Sequence, residues 1–159
     1  MKQLIILFTI LISVHSVRAQ EFTPKNNIEG FFTAVIVTDI EATIKWYKNN
    51  LRFETLDFNK YESRGFAQAN LKLQNFHLEL IQLNSAIDLS HEIDGYSKKT
   101  KIVGIFKVGI KVNNFDELLS TFERNNVGSN AEVVNDPVSN KRMIIVLDPD
   151  GNRIQVFEN

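Results

Sequence analysis

The stretch Phe31-Phe-Thr-Ala-Val-Ile-Val-Thr-Asp-Ile-Glu-Ala-Thr-Ile-Lys-Trp-Tyr47 returns in altered form 75 positions later as Phe106-Lys-Val-Gly-Ile-Lys-Val-Asn-Asn-Phe-Asp-Glu-Leu-Leu-Ser-Thr-Phe122. Val37 falls on Val112, Asp39 on Asn114, Ile40 on Phe115, Ile44 on Leu119, Tyr47 on Phe122 and Asn50 on Asn125. A strand pattern followed by a helix pattern, held in register over about 17 positions, marks one half-domain built twice. The ends of the copies agree as well, because Leu78-Glu-Leu-Ile-Gln82 and Ile154-Gln-Val-Phe-Glu158 lie 76 positions apart. The chain reads as two modules of a single domain.

In the first copy, residues 31–37 predict a strand and Asp39 the N-cap of the helix after it. Ile40, Ile44, Tyr47 and Leu51 fall on one side of that helix and predict a stripe packed on the back of a sheet. Three further strands are predicted over residues 53–61, 65–73 and 76–83, divided by the polar breaks Glu62-Ser-Arg64 and Gln74-Asn75. Module one is thus a β-α-β-β-β unit over residues 31–83. A polar connector, residues 84–104, leads to module two over residues 105–158. There a strand at 105–112 precedes a helix at 115–125, with Asn114 as N-cap and Glu117 at capping-box spacing. A short strand at 132–135 and longer ones at 141–147 and 153–157 complete the copy. Asp148-Pro-Asp-Gly-Asn152 joins the last two, and turn chemistry is expected to account for its acidic residues.

The beginning of the chain belongs to export. A short positive start, an apolar run over residues 4–14 and Val17-Arg-Ala19 together predict a secretory signal peptide over residues 1–19. The run stops short of the roughly 20 apolar residues that a membrane span needs. The expected location is periplasmic or secreted, with a flexible lead-in over residues 20–30 and no membrane attachment after cleavage. Removing Lys2 and Arg18 takes the formal charge from −1 to −3, so no basic excess points to nucleic acid. The sequence has no cysteine, which excludes disulfides, thiolate ligands and a cysteine nucleophile. No phosphate loop, nucleophile elbow or dinucleotide fingerprint occurs.

A duplicated β-α-β-β-β unit, with a strand-Asp-helix-Trp-Tyr opening and a closing Asp148-Pro-Asp-Gly-Asn-Arg-Ile-Gln-Val156, resembles the vicinal oxygen chelate (VOC) superfamily. That group holds glyoxalase I, extradiol dioxygenases, methylmalonyl-CoA epimerase and the bleomycin and fosfomycin resistance proteins. The resemblance covers residues 31–158. It implies an α+β fold in which paired βαβββ modules form a curved mixed sheet around a central hollow. It also implies that metal-dependent members place their ligands on the first and last strands of each module, usually as His, Glu or Gln. Carried onto this chain, those positions are Phe32, Glu79, Lys107 and Gln155.

This set is a poor metal site. Phenylalanine has no donor atom, and an ammonium repels a cation and has no lone pair to give. Glu79 and Gln155 leave two ligands where a catalytic zinc takes three from the protein. His77, on the same strand face as Glu79, replaces one missing ligand and not both. No bound metal and no cofactor are therefore expected. By strand parity the hollow receives Phe32, Ala34 and Ile36, then His77, Glu79 and Ile81, then Lys107, Gly109 and Lys111, and finally Arg153, Gln155 and Phe157. Three positive charges, Lys107, Lys111 and Arg153, face one negative charge, Glu79, beside apolar walls. This favours a small organic ligand, an anionic one above all. The structural alternative is that Lys107 and Glu79 neutralise each other as an ion pair.

The expected function is a metal-free, exported ligand-binding protein of the resistance-protein type, with Phe32, His77, Glu79, Lys107, Lys111, Arg153 and Gln155 as ligand-binding residues. The alternative is a metal-dependent VOC lyase, isomerase or dioxygenase. A third reading is metal-free acid-base catalysis, with Glu79 as base and Lys107 holding an oxyanion. A homodimer is also open, because pairing the modules within one chain or between two chains buries the same surfaces.

Overall fold

The computed structural model of the chain describes residues 30–97 and 103–159. The residues expected to form a signal peptide, nearly all of the expected lead-in and part of the connector lie outside the described residues. Module one runs β1 (Phe32–Ile36), α1 (Ile40–Leu51), β2 (Glu54–Tyr61), a 3-10 turn at Glu62–Arg64, β3 (Phe66–Leu73) and β4 (Phe76–Leu83). The connector carries a short helix, α2 (Leu89–Glu92). Module two runs β5 (Val108–Val112), α3 (Phe115–Arg124), β6 (Val134–Asn135), β7 (Arg142–Leu147) and β8 (Arg153–Glu158). Each module forms its own four-stranded mixed sheet, in the orders β1-β4-β3-β2 and β5-β8-β7-β6. First and last strands of each module are parallel neighbours, and the remaining pairs are antiparallel. This is the α+β architecture of paired βαβββ modules that the repeat predicts.

The helices start differently. Asp39 caps α1 by accepting from the Ala42 N–H at 3.0 Å. Asn114 at the start of α3 makes no such bond to the backbone, and its amide donates instead to the Glu117 carboxylate at 3.3 Å. The capping-box spacing is therefore present without the capping-box bonds. The strand expected at 105–112 begins only at Val108, which leaves Lys107 just ahead of it.

Both sheets bury the face that carries the helices. Ala67, Ala69, Leu71, Leu78 and Leu80 from module one meet Ile144, Val146, Ile154 and Val156 from module two, with Ile40, Tyr47, Leu51, Phe115 and Phe122 laid over them. A fully buried leucine or valine stabilises the fold by about 1.5–3 kcal/mol. The predicted helix stripe is borne out, with Ile44 half-buried and the other three members buried. Between the modules, the Asn125 amide donates to Asn50 Oδ1 at 2.8 Å, and Arg52 pairs with Glu117. Among the described residues, no helix is long and apolar enough to cross a membrane.

Candidate functional site

On β1 and β5 the strand faces turned away from the helices are open. On β1, Phe32 and Ile36 are 64% and 54% exposed, whereas Thr33 and Val35 between them are half-buried. On and before β5, Lys107, Gly109 and Lys111 are exposed, with Val108 and Ile110 half-buried. The parity expected from the sequence places the side chains as described.

Strand register extends this open face across each sheet. In module one, Ala34 lies beside Glu79, Glu79 beside Asn70, and Asn70 beside Asp57. The next row holds Ile36, Ile81, Gln68 and Asn59. Gln68 Nε2 donates to the Glu79 carboxylate, and Asn70 Nδ2 donates to both oxygens of Asp57 at 3.0 and 3.2 Å. His77 stands between Phe32 and Lys72 at one end of the face. Asp57, Gln68 and Asn70 lie on β2 and β3, outside the positions that parity on the first and last strands picks out. Continuing it from Glu79 through the antiparallel pairs reaches them.

In module two, Met143, Ile145 and Leu147 of β7 lie beside Phe157, Gln155 and Arg153 of β8. Gln155 is buried at 3% exposure, and its amide donates to the Met143 sulfur. Lys111 is register partner of Phe157 at the far end of the sheet.

The four positions that correspond to metal ligands do not form a donor set. Glu79 is hydrogen-bonded to Gln68, Gln155 is turned to Met143, and Phe32 contributes only carbon. No ion pair joins Lys107 to Glu79 among the described residues. Lys107 instead stands near Asp136, whose carboxyl is held below the usual carboxylate range first by the Ser139 N–H and hydroxyl and further by the lysine charge. Among the described residues, no group of three His, Asp or Glu side chains comes together. The residues present do not fit a divalent metal held in the superfamily's manner.

Between the modules lies a groove of about 1090 Å³. One wall is residues 33–38 at β1; the other is residues 105–108 ahead of β5, with the β7–β8 turn and the connector's Tyr96 at its margins. Lys107 and Arg153 bring positive charge to it, and the Arg153 guanidinium lies 4.9 Å from the centre of the Phe106 ring. Of the candidate residues, Lys107 and Arg153 line this groove. Phe32, His77 and Glu79 sit on the module-one face beside it.

The Asp148–Asn152 turn does more than turn. Asp148 is 3% exposed and accepts from the Asn152 N–H at 2.8 Å, the Asn152 amide at 2.9 Å and the Tyr47 hydroxyl at 3.2 Å. Burial raises its pKa, against the pull of those donors. The Tyr47 hydroxyl is raised too, by burial first and then by the Asp148 charge. Asp150 Oδ1 accepts from the Thr38 N–H at 3.0 Å and from the Thr38 hydroxyl at 2.5 Å. Two carboxylates of one hairpin thus fasten module two to the helix of module one and to the turn that leads into it, at one end of the groove. Turn chemistry alone does not account for them.

Comparison with known proteins agrees with this fold. A family model described as the Glyoxalase/Bleomycin resistance protein/Dioxygenase superfamily matches residues 31–156. Among solved structures, a glyoxalase family protein from Enterococcus faecalis is 20% identical with a TM-score of 0.66, over 82% of this chain and 98% of that one. A glyoxylase/bleomycin resistance protein/dioxygenase domain from Frankia sp. EAN1pec is 12% identical with a TM-score of 0.63, over 84% and 98%. A lactoylglutathione lyase from Agrobacterium tumefaciens is 18% identical with a TM-score of 0.59, over 85% and 96%. Identities this low speak for the fold alone. No curated protein matches the sequence.

Proposed function

The chain belongs to the glyoxalase, bleomycin resistance protein and dioxygenase superfamily, and from that membership we propose that it is an exported, metal-free binder of a small organic ligand, preferably an anion, held in the groove between its modules. The donor chemistry at the four family positions carries the reading. A phenylalanine, an ammonium, a carboxylate engaged by Gln68 and an amide turned to Met143 offer a cation no cage. The groove's size and its mixed lining, with Lys107 and Arg153 beside Phe106, suit a small molecule bearing negative charge.

The test is a thermal shift on the intact protein with a panel of small organic anions, benzoate among them, alongside metal analysis. A ligand at 100 times its Kd stabilises the native state by about 2.7 kcal/mol, which gives a readable rise in Tm. Lys107→Met should reduce that rise. Stoichiometric zinc, nickel, manganese or iron lost in Glu79→Gln would overturn the metal-free reading in favour of a metal-dependent enzyme.

A further inference from the structure

We propose that the groove takes an extended peptide segment ending in a carboxylate, which adds to the free edge of β1 as an extra strand. This rests on the ligand-binding reading above and names the class of ligand. β1 ends its sheet, and its partner among the described residues is β4 on one side only. The Val37 N–H donates to the Ile81 carbonyl at 2.8 Å. In a parallel pair, residues bonded to the neighbour alternate with residues whose N–H and C=O turn the other way. Thr33 and Val35 therefore follow Val37 toward β4, and the amides of Phe32, Ala34 and Ile36 face the free edge. All of residues 33–38 line the groove, as happens when a strand's edge and not one of its faces forms the wall.

Natural edge strands are shielded by charge, proline or a bulge. The opposite edge of the same sheet, β2, has all but the proline: Glu54, Asp57 and Lys60 lie on it, and its register shifts between Thr55 and Asp57. The β1 strand Phe32-Thr-Ala-Val-Ile36 has no charge, no proline and an unbroken register. Its five residues extend for about 17 Å, at about 3.3 Å each, and so offer a template for a short strand. Ala34 lines the groove, and its small side chain leaves space for a backbone to approach the edge. Across the groove, Lys107 and Arg153 supply the charge complementary to a terminal carboxylate. Of the acidic groups lining the same groove, Asp150 is held by Thr38, and Asp88 lies 3.8 Å from His91.

The experiment titrates the intact protein with an acetylated five-residue peptide of alternating valine and threonine that has a free C-terminal carboxylate. Affinity is read by calorimetry, and amide hydrogen exchange locates the contact. Binding should slow exchange at Ala34 and Ile36, and amidating the peptide terminus or introducing Lys107→Met should weaken it about tenfold. N-methylation of the peptide backbone on its pairing side should abolish it, as should Ala34→Pro, which removes an edge donor. Should the proline variant fail to fold, the N-methylated peptide still decides the matter. Binding that survives N-methylation, or that leaves Ala34 and Ile36 unprotected, overturns the edge-pairing inference. If benzoate binds and the peptide does not, this inference fails and the ligand-binding reading stands; if neither binds, both fail.

Discussion

The two modules keep one backbone plan and line their open faces with opposite chemistry. Module one presents a hydrogen-bonded lattice of amides and carboxylates, Gln68 with Glu79 and Asn70 with Asp57. Module two puts Met143, Ile145 and Leu147 in the corresponding layer and adds the cations Lys107, Lys111 and Arg153. On the buried side the copies stay alike, with Leu80 and Val156 both fully buried on the strand central to each module. A core tolerates only side chains of suitable shape, whereas an open face is free to diverge. Similarity on the inside therefore reports the fold, and difference on the outside reports what each half does.

The largest expected effect tests whether the halves form one cooperative unit. Leu80→Ala should cost about 2–5 kcal/mol, and Val156→Ala less because it removes fewer buried atoms. Both variants should lower one shared transition in a denaturant melt; two separable transitions would break the picture of a single domain. Next comes the fastening between modules. Tyr47→Phe makes module one resemble module two, where Phe122 stands at that position, and withdraws a donor from a buried carboxylate. The expected loss is about 1.5 kcal/mol, measured by urea unfolding at neutral pH.

Asp148 itself gives a pH signature. Its native pKa is raised above the unfolded value of about 3.9, so the native state binds more protons in the window between them. Its stability contribution is fully present below the unfolded pKa and is lost as pH rises through the native pKa. Asp148→Asn should flatten that part of a stability-pH curve, and an unchanged slope would count against it. A smaller contrast lies at the helix starts. Asp39→Ala should cost about 1 kcal/mol, while Asn114→Ala should cost less, because only Asp39 bonds the helix backbone. Equal losses would remove the distinction. The smallest effect is expected at Arg142, which pairs with both Glu158 and Asp116 and, from a half-buried position near the surface, holds both carboxyls below their usual range. Arg142→Met should lower Tm slightly, and less so at high salt.

What was legible in the sequence was whatever depends on local periodicity. Strand parity placed Phe32, Lys107 and Glu79 on the correct faces, and the spacing of Ile40, Tyr47 and Leu51 placed α1. What depends on the path of the chain was not legible. Tyr47 and Asp148 are 101 positions apart, and nothing in Asp148-Pro-Asp-Gly-Asn152 says that its carboxylates reach another module. That Lys107 stands near Asp136 and not Glu79 has the same origin, since a lysine ahead of a strand end lies near whichever carboxylate the neighbouring loop brings close. Asp57 and Asn70 stayed hidden because they lie on β2 and β3, which a rule about first and last strands does not reach, and the bulge between Thr55 and Asp57 further obscures the parity of Asp57.

The contact between Asn50 and Asn125 joins a residue to its own counterpart in the other copy. Counterparts touch only on the axis that exchanges them, as in a two-fold dimer, where a residue on the axis meets itself. An asparagine serves there because one amide both donates and accepts. A contact so placed is what two copies of one half-length unit make when they meet about a two-fold axis. A chain cut within residues 84–104 should accordingly yield two pieces that find each other again.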